Sequence, residues 1–192
     1  MVRAYTDDEL MELAMNTRGF THFPEDKWLM IVRSKADKPN EFDDKCYQYE
    51  GKGKFLEVMT CTTNPGTYGL LNFFKWNRKG AFVLASNLWQ YDVWKKGSHR
   101  GKMDALVQNK KIFGYRDNDK DMKSEELGVM VSGWYGINFH TVSYNKFKNY
   151  ILKLIGRWST GCVVGNNVEK YYSILGRFKR QKTVSICVIT EK

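Results

Sequence analysis

Short apolar runs separated by turn residues are the feature of this sequence that most limits its fold. The run Trp28–Val32 is short and continuous, whereas Phe55–Thr62 alternates apolar and polar residues as a half-buried strand does. Turn chemistry follows at Asn64–Gly66. Further strand candidates are Cys46–Tyr49, Ala81–Ala85 and Thr183–Ile189. Short strands joined by turns predict a mainly β domain.

Three other stretches have the spacing of amphipathic helices. In the first, Thr6 and Glu9 have the spacing of a capping box, and Gly19 is a plausible stop. In Phe147–Leu154 and Val168–Leu175, apolar residues recur at helical intervals. We therefore expect a mainly β (α+β) fold with a few peripheral helices. Residues 1–26 are expected to form an N-terminal helical appendage to a main domain of residues 27–192.

The chain carries an excess of positive charge. Its 192 residues include 31 Lys and Arg against 21 Asp and Glu, which gives a formal net charge of +10. Such a surface suits nucleic acid, an anionic membrane surface or an anionic cell-wall polymer, or it serves solubility alone. Because the sequence has no zinc-finger spacing and no aromatic RNA-binding signature, no specific nucleic-acid binding is expected.

The compartment is constrained by the apolar runs and the cysteines. No apolar run reaches the roughly 18 residues of a membrane helix, so no membrane-spanning segment is expected. The start of the chain turns acidic at Asp7–Glu9 before any apolar stretch begins, so no signal peptide is expected. The cysteines contain no C-x-x-C pair, which argues against structural zinc and favours free thiols in a reducing compartment. They are Cys46, Cys61, Cys162 and Cys187.

One histidine and one cysteine form the best candidate for chemistry. His140 closes the strand-like run Tyr135–His140, and Cys162 follows 22 positions later, directly after Gly161. Glycine allows close backbone approach, and main-chain N–H groups near such a turn can hold an oxyanion. A thiol needs a base or a nearby positive charge to become a useful thiolate, and His140 is the natural base. On spacing alone, the alternative is a buried structural cysteine.

The order of these elements resembles the L,D-transpeptidase (YkuD-like) catalytic domain. That family's signature is a histidine followed some twenty residues later by Ser/Thr-His-Gly-Cys. Here His140, Ser159, Gly161 and Cys162 match it, and the likeness covers Trp28–Ile189. The chain looks closest to divergent phage-encoded members, which carry a small residue in place of the second histidine. The resemblance implies an L,D-transpeptidase-like β-sandwich for the main domain.

The resemblance also implies roles for individual residues. It makes Cys162 the nucleophile and His140 its general base, with Thr141 orienting the histidine and Gly161 forming part of the oxyanion hole. Thr160 stands where the family usually has a histidine, and Val164 stands where a substrate-binding arginine usually follows the cysteine. Arg157 is a candidate replacement for that charge. The substrate-binding residues expected around the motif are Arg157, Trp158, Ser159 and Thr160.

Two further segments carry charged or metal-ligating residues. Lys95–Lys102 reads as a mobile basic loop that could clamp a carboxylate or phosphate, with His99, Arg100 and Lys102 as substrate contacts. His99 is the alternative catalytic base, and an ordinary solvated loop is the other interpretation. Asp117–Asp121 alternates like the opening of a calcium loop, but it lacks the glycine and the closing glutamate of an EF-hand. A polar turn stabilised by side-chain caps is therefore expected there, with no metal and no cofactor.

These features predict a cysteine peptidase that acts on peptidoglycan stem peptides through a Cys–His thioester mechanism. It would be an L,D-carboxypeptidase or endopeptidase of the phage lytic type. We expect a monomer located in the host cytoplasm before lysis, or associated with the virion, which acts on the bacterial cell wall. The alternatives are a crosslinking L,D-transpeptidase and a catalytically inactive, virion-associated structural protein. A basic nucleic-acid-binding protein is a third reading.

Overall fold

The computed structural model describes residues 1–38 and 40–191, and in them the chain is mainly β. The helices are α1 (Asp7–Met15), α2 (Thr67–Asn72) and α3 (Val168–Arg177), with a 3-10 turn at Phe73–Lys75. The strands are β1 (Lys27–Arg33), β2 (Asp44–Glu50), β3 (Lys54–Thr62), β4 (Ala81–Leu84), β5 (Leu88–His99), β6 (Met103–Gln108), β7 (Ile112–Asp117), β8 (Val131–Gly133), β9 (Phe139–Thr141), β10 (Val163–Gly165) and β11 (Val184–Thr190). The predicted mainly β fold with a few short helices is confirmed.

Eight of these strands close into a barrel, in the order β1-β11-β5-β6-β9-β10-β3-β2. The other three form a smaller sheet, in the order β4-β7-β8. Phe82 and Leu84 of the small sheet share one apolar core with Trp94 and Phe139 of the barrel. Two sheets packed on one core are consistent with the predicted sandwich, although the larger sheet is closed on itself.

The N-terminal segment covers the outside of the barrel. Along β1, Leu29 and Ile31 point into the main core, whereas Trp28 and Met30 belong to a second apolar cluster shared with α1. Burial on both faces explains why β1 reads as a continuous apolar run rather than an alternating one. The capping box at the start of α1 is present as predicted, and no helix in the described residues has the length and apolarity to cross a membrane.

The predicted helix at Phe147–Leu154 is wrong, whereas the one at Val168–Leu175 is confirmed as α3. The first segment is irregular, and isolated bridges tie Ile151 to Asn167 and Leu154 to Glu41. Phe147, Ile151 and Leu154 are 84%, 60% and 58% exposed. Because a short helix is stable only when its apolar face is packed, helical spacing without a partner surface does not make a helix here.

The predicted basic loop at Lys95–Lys102 is also corrected by the structure. Residues 95–99 belong to β5, which pairs with β6 so that His99 faces Met103. Arg100 and Gly101 turn the chain with positive φ values of 53° and 67°. The segment is therefore a hairpin of the barrel: Lys95 and Lys96 lie within β5, and Arg100 and Lys102 lie in a short turn rather than in a long loop.

The loop that carries Cys162 rests on the small sheet. The Thr160 carbonyl accepts a hydrogen bond from the Phe82 N–H at 3.3 Å. Gly161 has a φ of 142°, and a Cβ atom built on it would lie 2.8 Å from the Phe82 carbonyl oxygen. Only glycine therefore fits between Thr160 and Cys162 at this distance from β4.

We expect Gly161→Ala to lower the free energy of unfolding by about 2 kcal/mol or more, because alanine adds a clash to a backbone conformation that it rarely adopts. Chemical denaturation of the purified variant measures this directly. Gly176→Ala is the matched control, since Gly176 lies in α3 with open space around its Cβ position. Helix propensity predicts that this control is neutral or stabilising by less than about 1 kcal/mol. Equal effects of the two substitutions would contradict the packing described here.

Candidate active site

Cys162, His140 and His99 converge at one end of the barrel. A ring nitrogen of each histidine and the Cys162 Sγ lie within 4.8 Å of one another. In the parallel pairing of β9 with β10, His140 lies opposite Val164. Cys162 immediately precedes β10, so it lies at the end of the pair where both strands begin. His99 enters as the last residue of β5. His99 and Cys162 border a cleft of about 360 Å³, and His140 lies beneath it, only 1% exposed.

The position of the ring proton on His140 follows from its hydrogen bond. Its Nδ1 lies 2.8 Å from the Thr141 carbonyl oxygen, which can only accept, so the ring proton is on Nδ1. Nε2 then carries the lone pair, and it is buried without a hydrogen-bond partner. The Thr141 carbonyl thus orients the His140 ring, whereas the Thr141 hydroxyl donates to the Gly165 carbonyl at 3.2 Å.

His99 is stacked on His140. The ring centroids lie 4.1 Å apart, with an interplanar angle of 29°. The Asn138 side-chain amide donates to His99 Nδ1 at 3.0 Å, and its carbonyl oxygen accepts from the Gln108 N–H at 3.1 Å, which fixes the orientation of the amide. The ring proton of neutral His99 is therefore on Nε2.

Both histidines are held in the neutral form. Burial is the main reason that the pKa of His140 falls to about 3, and the neighbouring His99 and Arg100 lower it further. Burial likewise lowers the pKa of His99 to about 4, with a further contribution from Arg100. Stacked, desolvated imidazoles resist protonation because each charge would be poorly solvated and close to the other.

The Cys162 side chain is in its thiol form at rest. Burial raises its pKa, although the Asn138 N–H and the charge of Arg100 partly counteract this effect. The Asn138 N–H donates to Sγ at 3.5 Å, and the S–H donates to the Gly136 carbonyl at 3.6 Å. A neutral thiol beside a neutral imidazole requires proton transfer during attack, in contrast to a preformed thiolate–imidazolium pair.

Ser159 braces the cysteine loop from inside. Its Oγ accepts from the Gly161 N–H at 3.1 Å and donates to the Cys162 carbonyl at 2.8 Å, and its side chain is buried. The Gly161 N–H is thus not free to hold an oxyanion, and the Ser159 hydroxyl faces the loop rather than a substrate. Among the hydrogen bonds of the described residues, none uses the Cys162 N–H, which is therefore the main-chain donor left free beside the thiol.

Thr160 and Arg100 line the cleft, as the sequence predicts, but three other expected substrate contacts lie elsewhere. The exposed Arg157 guanidinium lies 4.3 Å from the centre of the Tyr68 ring. The centroid of the half-buried Trp158 ring is 6.5 Å from that of His140, outside the residues that line the cleft. Lys102 borders a separate groove beside β6. Side chains that are close to the motif in sequence therefore point in different directions, and only some of them reach the cleft.

Sequence reasoning missed Arg116, which lines the cleft from β7. Its guanidinium carbon lies 4.5 Å from the centre of the Tyr135 ring and 5.4 Å from that of Phe82. One of its N–H groups donates to the Gly80 carbonyl at 3.3 Å. No motif could have marked Arg116, because it reaches the site only through the packing of the small sheet on the barrel.

Gln108 shapes the wall of the cleft. Its Oε1 accepts from the N–H groups of Tyr135, Gly136 and Ile137 at 3.0, 3.0 and 3.3 Å. Its Nε2 donates to the Gly133 carbonyl at 2.6 Å. One buried amide therefore holds the irregular chain between β8 and β9 in place.

The His99–His140–Cys162 cluster also has the composition of a site for a soft divalent metal. Neutral imidazoles and a thiolate are ligands that zinc accepts, and three of them leave a fourth position for water or substrate. A histidine that ligates a metal through one ring nitrogen usually donates its other ring N–H to a carbonyl or carboxylate, as His140 Nδ1–H does to the Thr141 carbonyl. His99 fits less well, because its Nδ1 is engaged by Asn138 and its Nε2 carries the proton.

The acidic segment at Asp117–Asp121 forms the predicted polar turn. The Asp119 carboxylate accepts from the Asp121 N–H at 3.1 Å, and Asp117 accepts from the Glu125 N–H at 3.0 Å. Carboxylate oxygens of Asp119, Asp121 and Glu125 lie within 4.8 Å of one another at the surface. The side-chain caps account for the local structure without an ion.

Comparison with known proteins adds no family assignment. No protein-family model, no curated protein and no solved structure matches the chain. The resemblance to L,D-transpeptidases therefore stays a prediction carried by the short motif around His140 and Cys162. What the structure adds is the geometry of that motif: an oriented imidazole beside a thiol at the edge of an open cleft.

Proposed function

We propose that the chain is a cysteine acyl-transfer enzyme in which Cys162 is the nucleophile and His140 the general base. The observation that carries the proposal is the free, buried Nε2 of His140, on a ring that the Thr141 carbonyl orients and that has a nitrogen within 4.8 Å of the Cys162 Sγ. A thiol and a base oriented by a third group form the arrangement of nucleophilic cysteine catalysis. Cys162 also borders the cleft through which an acyl donor would arrive.

The first half-reaction follows from these positions. The S–H turns from the Gly136 carbonyl to His140 Nε2, which takes the thiol proton as Sγ attacks a carbonyl carbon, and we assign stabilisation of the resulting oxyanion to the Cys162 N–H. Collapse of the tetrahedral intermediate breaks the C–N bond, and His140 returns the proton to the leaving amine. A thioester at Cys162 remains. Attack by water then releases a carboxylic acid, whereas attack by an amine forms a new amide.

The substrate class proposed is the stem peptide of peptidoglycan, cut by an L,D-carboxypeptidase or endopeptidase of the phage lytic type. The match of His140, Ser159, Gly161 and Cys162 to the L,D-transpeptidase motif supports this substrate. The net charge of +10 supports binding to an anionic wall. Transfer to an amine instead of water would make the same site a crosslinking L,D-transpeptidase.

A catalytically inactive, virion-associated structural protein is the second candidate. The observation that favours it is the burial of Cys162, which is 9% exposed and has a raised pKa. Alkylation separates the two candidates, because a thiol that a neighbouring base can deprotonate during attack reacts faster than thiols without such a base. Cys46, Cys61 and Cys187 are fully buried and are the internal controls. Equal rates at all four cysteines with iodoacetamide would favour the inactive scaffold.

We expect Cys162→Ala to abolish peptide release from purified sacculi, because no other group replaces the thiolate. Mass spectrometry of the released peptides measures this and identifies the bond that is cut. Cys162→Ser should fail as well, since a hydroxyl is nearly isosteric with a thiol but far less acidic. The thermal midpoint should change little in both variants, because the side chain borders an open cleft.

Cys61→Ala is the matched control for this experiment. Cys61 is fully buried in the main core, so its truncation should cost stability by about 1 kcal/mol through the space it leaves. Peptide release by the folded fraction should stay at the wild-type level. The cysteine mechanism is abandoned if Cys162→Ala releases stem peptides at the wild-type rate.

We expect the acid limb of the pH–rate profile to lie well below the ordinary histidine pKa of 6.5. The base works as neutral imidazole, and the pKa values of His140 and His99 are about 3 and about 4. Acylation of Cys162 by an activated ester should therefore persist from pH 7 to about pH 5. An acid limb centred near pH 6.5 would show that the stacked pair does not act as described.

Protein stability needs to be recorded over the same pH range. Below pH 6.5 the unfolded chain takes up protons at His99 and His140, whereas the folded chain does not, so folding weakens as the pH falls towards 4. Circular dichroism at each pH distinguishes loss of the base from loss of the fold. His99→Gln should reduce the slope of stability against pH, because it removes one of the two groups.

A further inference from the structure

Arg116 is a partly buried cation in the catalytic cleft that forms no ion pair among the described residues. Aromatic rings cover the face of its guanidinium, and one N–H is used by the Gly80 carbonyl. A guanidinium has five N–H donors, so most of its hydrogen-bonding capacity is unspent. A partly buried cation is more stable with an anionic partner, so this unpaired guanidinium indicates a site for an anion.

The charges that line the cleft are of one sign. Arg100 and Arg116 are its charged lining residues, while the other described residues around it are aromatic, aliphatic or neutral polar. Arg100 is exposed at the hairpin turn, whereas Arg116 is held in place by the Tyr135 ring. A clamped, planar guanidinium is suited to bidentate recognition of a carboxylate. The volume of about 360 Å³ is at the small end for a ligand site.

We propose that Arg116 binds the free α-carboxylate of the residue that is released, so that the enzyme removes a single C-terminal amino acid. This inference rests on the proposed cysteine mechanism and chooses carboxypeptidase action over endopeptidase action. Sγ forms the C–S bond as the C–N bond of the last residue breaks, and His140 passes the thiol proton to the leaving nitrogen. The released amino acid keeps its carboxylate on Arg116 until it leaves. Water then cleaves the thioester, giving a new C-terminal carboxylate and the free thiol.

A pair of substrates tests this assignment on the wild-type protein. One is a stem tetrapeptide with its C-terminal carboxylate, and the other is the same peptide with a C-terminal carboxamide. We expect kcat/KM to be about 100-fold or more higher for the carboxylate, because a site built for a charged group rejects an analogue that leaves its own charge unpaired. Equal hydrolysis of the two peptides, or equally fast internal cleavage of a longer peptide, overturns the inference.

Variants assign the preference to a residue. Arg116→Gln should lose most of the discrimination between the two peptides, so that the ratio of their kcat/KM values falls towards one. Arg116→Lys should retain part of the preference, since the charge remains without the bidentate geometry. Arg157→Gln is the matched control, because Arg157 is exposed and lies outside the cleft. Full discrimination in a folded Arg116→Gln protein overturns the assignment.

Acylation by p-nitrophenyl acetate separates failure of the inference from failure of the proposed function. This small activated ester has no carboxylate, so acylation of wild-type Cys162 tests the nucleophile separately from carboxylate recognition. Intact-mass measurement detects the acetyl group. If Cys162 is acylated but the carboxylate and carboxamide peptides react equally, the role of Arg116 is overturned and the cysteine mechanism stands. No acylation of Cys162 by any of these substrates overturns the cysteine mechanism and this inference with it.

Discussion

In the barrel, β9 and β10 run parallel, and this pairing places Cys162 close to His140. Val163 lies opposite Phe139 and Val164 opposite His140, so the residues that precede the two strands, Cys162 and Asn138, come to the same end. Phe139 points into the core and anchors the register, because a shift by one residue would put His140 in its place. The contact between the Asn138 N–H and Sγ is a direct result of this register.

Charge neutrality is the second constraint on the site. A thiol and two imidazoles lie together in low-dielectric surroundings, and each is most stable there without charge. The cations Arg100 and Arg116 border this neutral cluster from opposite sheets. The barrel thus carries the thiol and the two imidazoles, while the small sheet contributes Phe82 and Arg116 to the wall of the cleft. Substitutions in β7 can therefore alter what the cleft accepts, whereas β4 also supports the loop that carries Cys162, through the Phe82 N–H.

The sequence predicted the parts of the molecule whose patterns are local. The runs Trp28–Val32 and Thr183–Ile189 became β1 and β11, because buried strands retain their apolar signal whatever their neighbours are. The hairpin of β5 and β6 was missed, since its cations and Gly97 resemble a loop in isolation. His140 and Cys162 could be paired from their motif. The stacking of His99 on His140, and the arrival of Arg116, depend on barrel closure and sheet packing, which no residue spacing encodes.

The Gln108 side chain holds one wall of the cleft in place through several hydrogen bonds. The chain from Trp134 to Ile137 has no strand or helix to hold it, and its N–H groups converge on one side-chain oxygen instead. The amide forms a limited number of hydrogen bonds at fixed angles, whereas the hydrogen-bond ladder of a sheet grows with the length of its strands. The side chains of this segment can therefore vary, but the number of its residues cannot. One inserted or deleted residue would leave donors without their common acceptor, and the aromatic wall, the Gly136 carbonyl and the Asn138 amide would lose their alignment together.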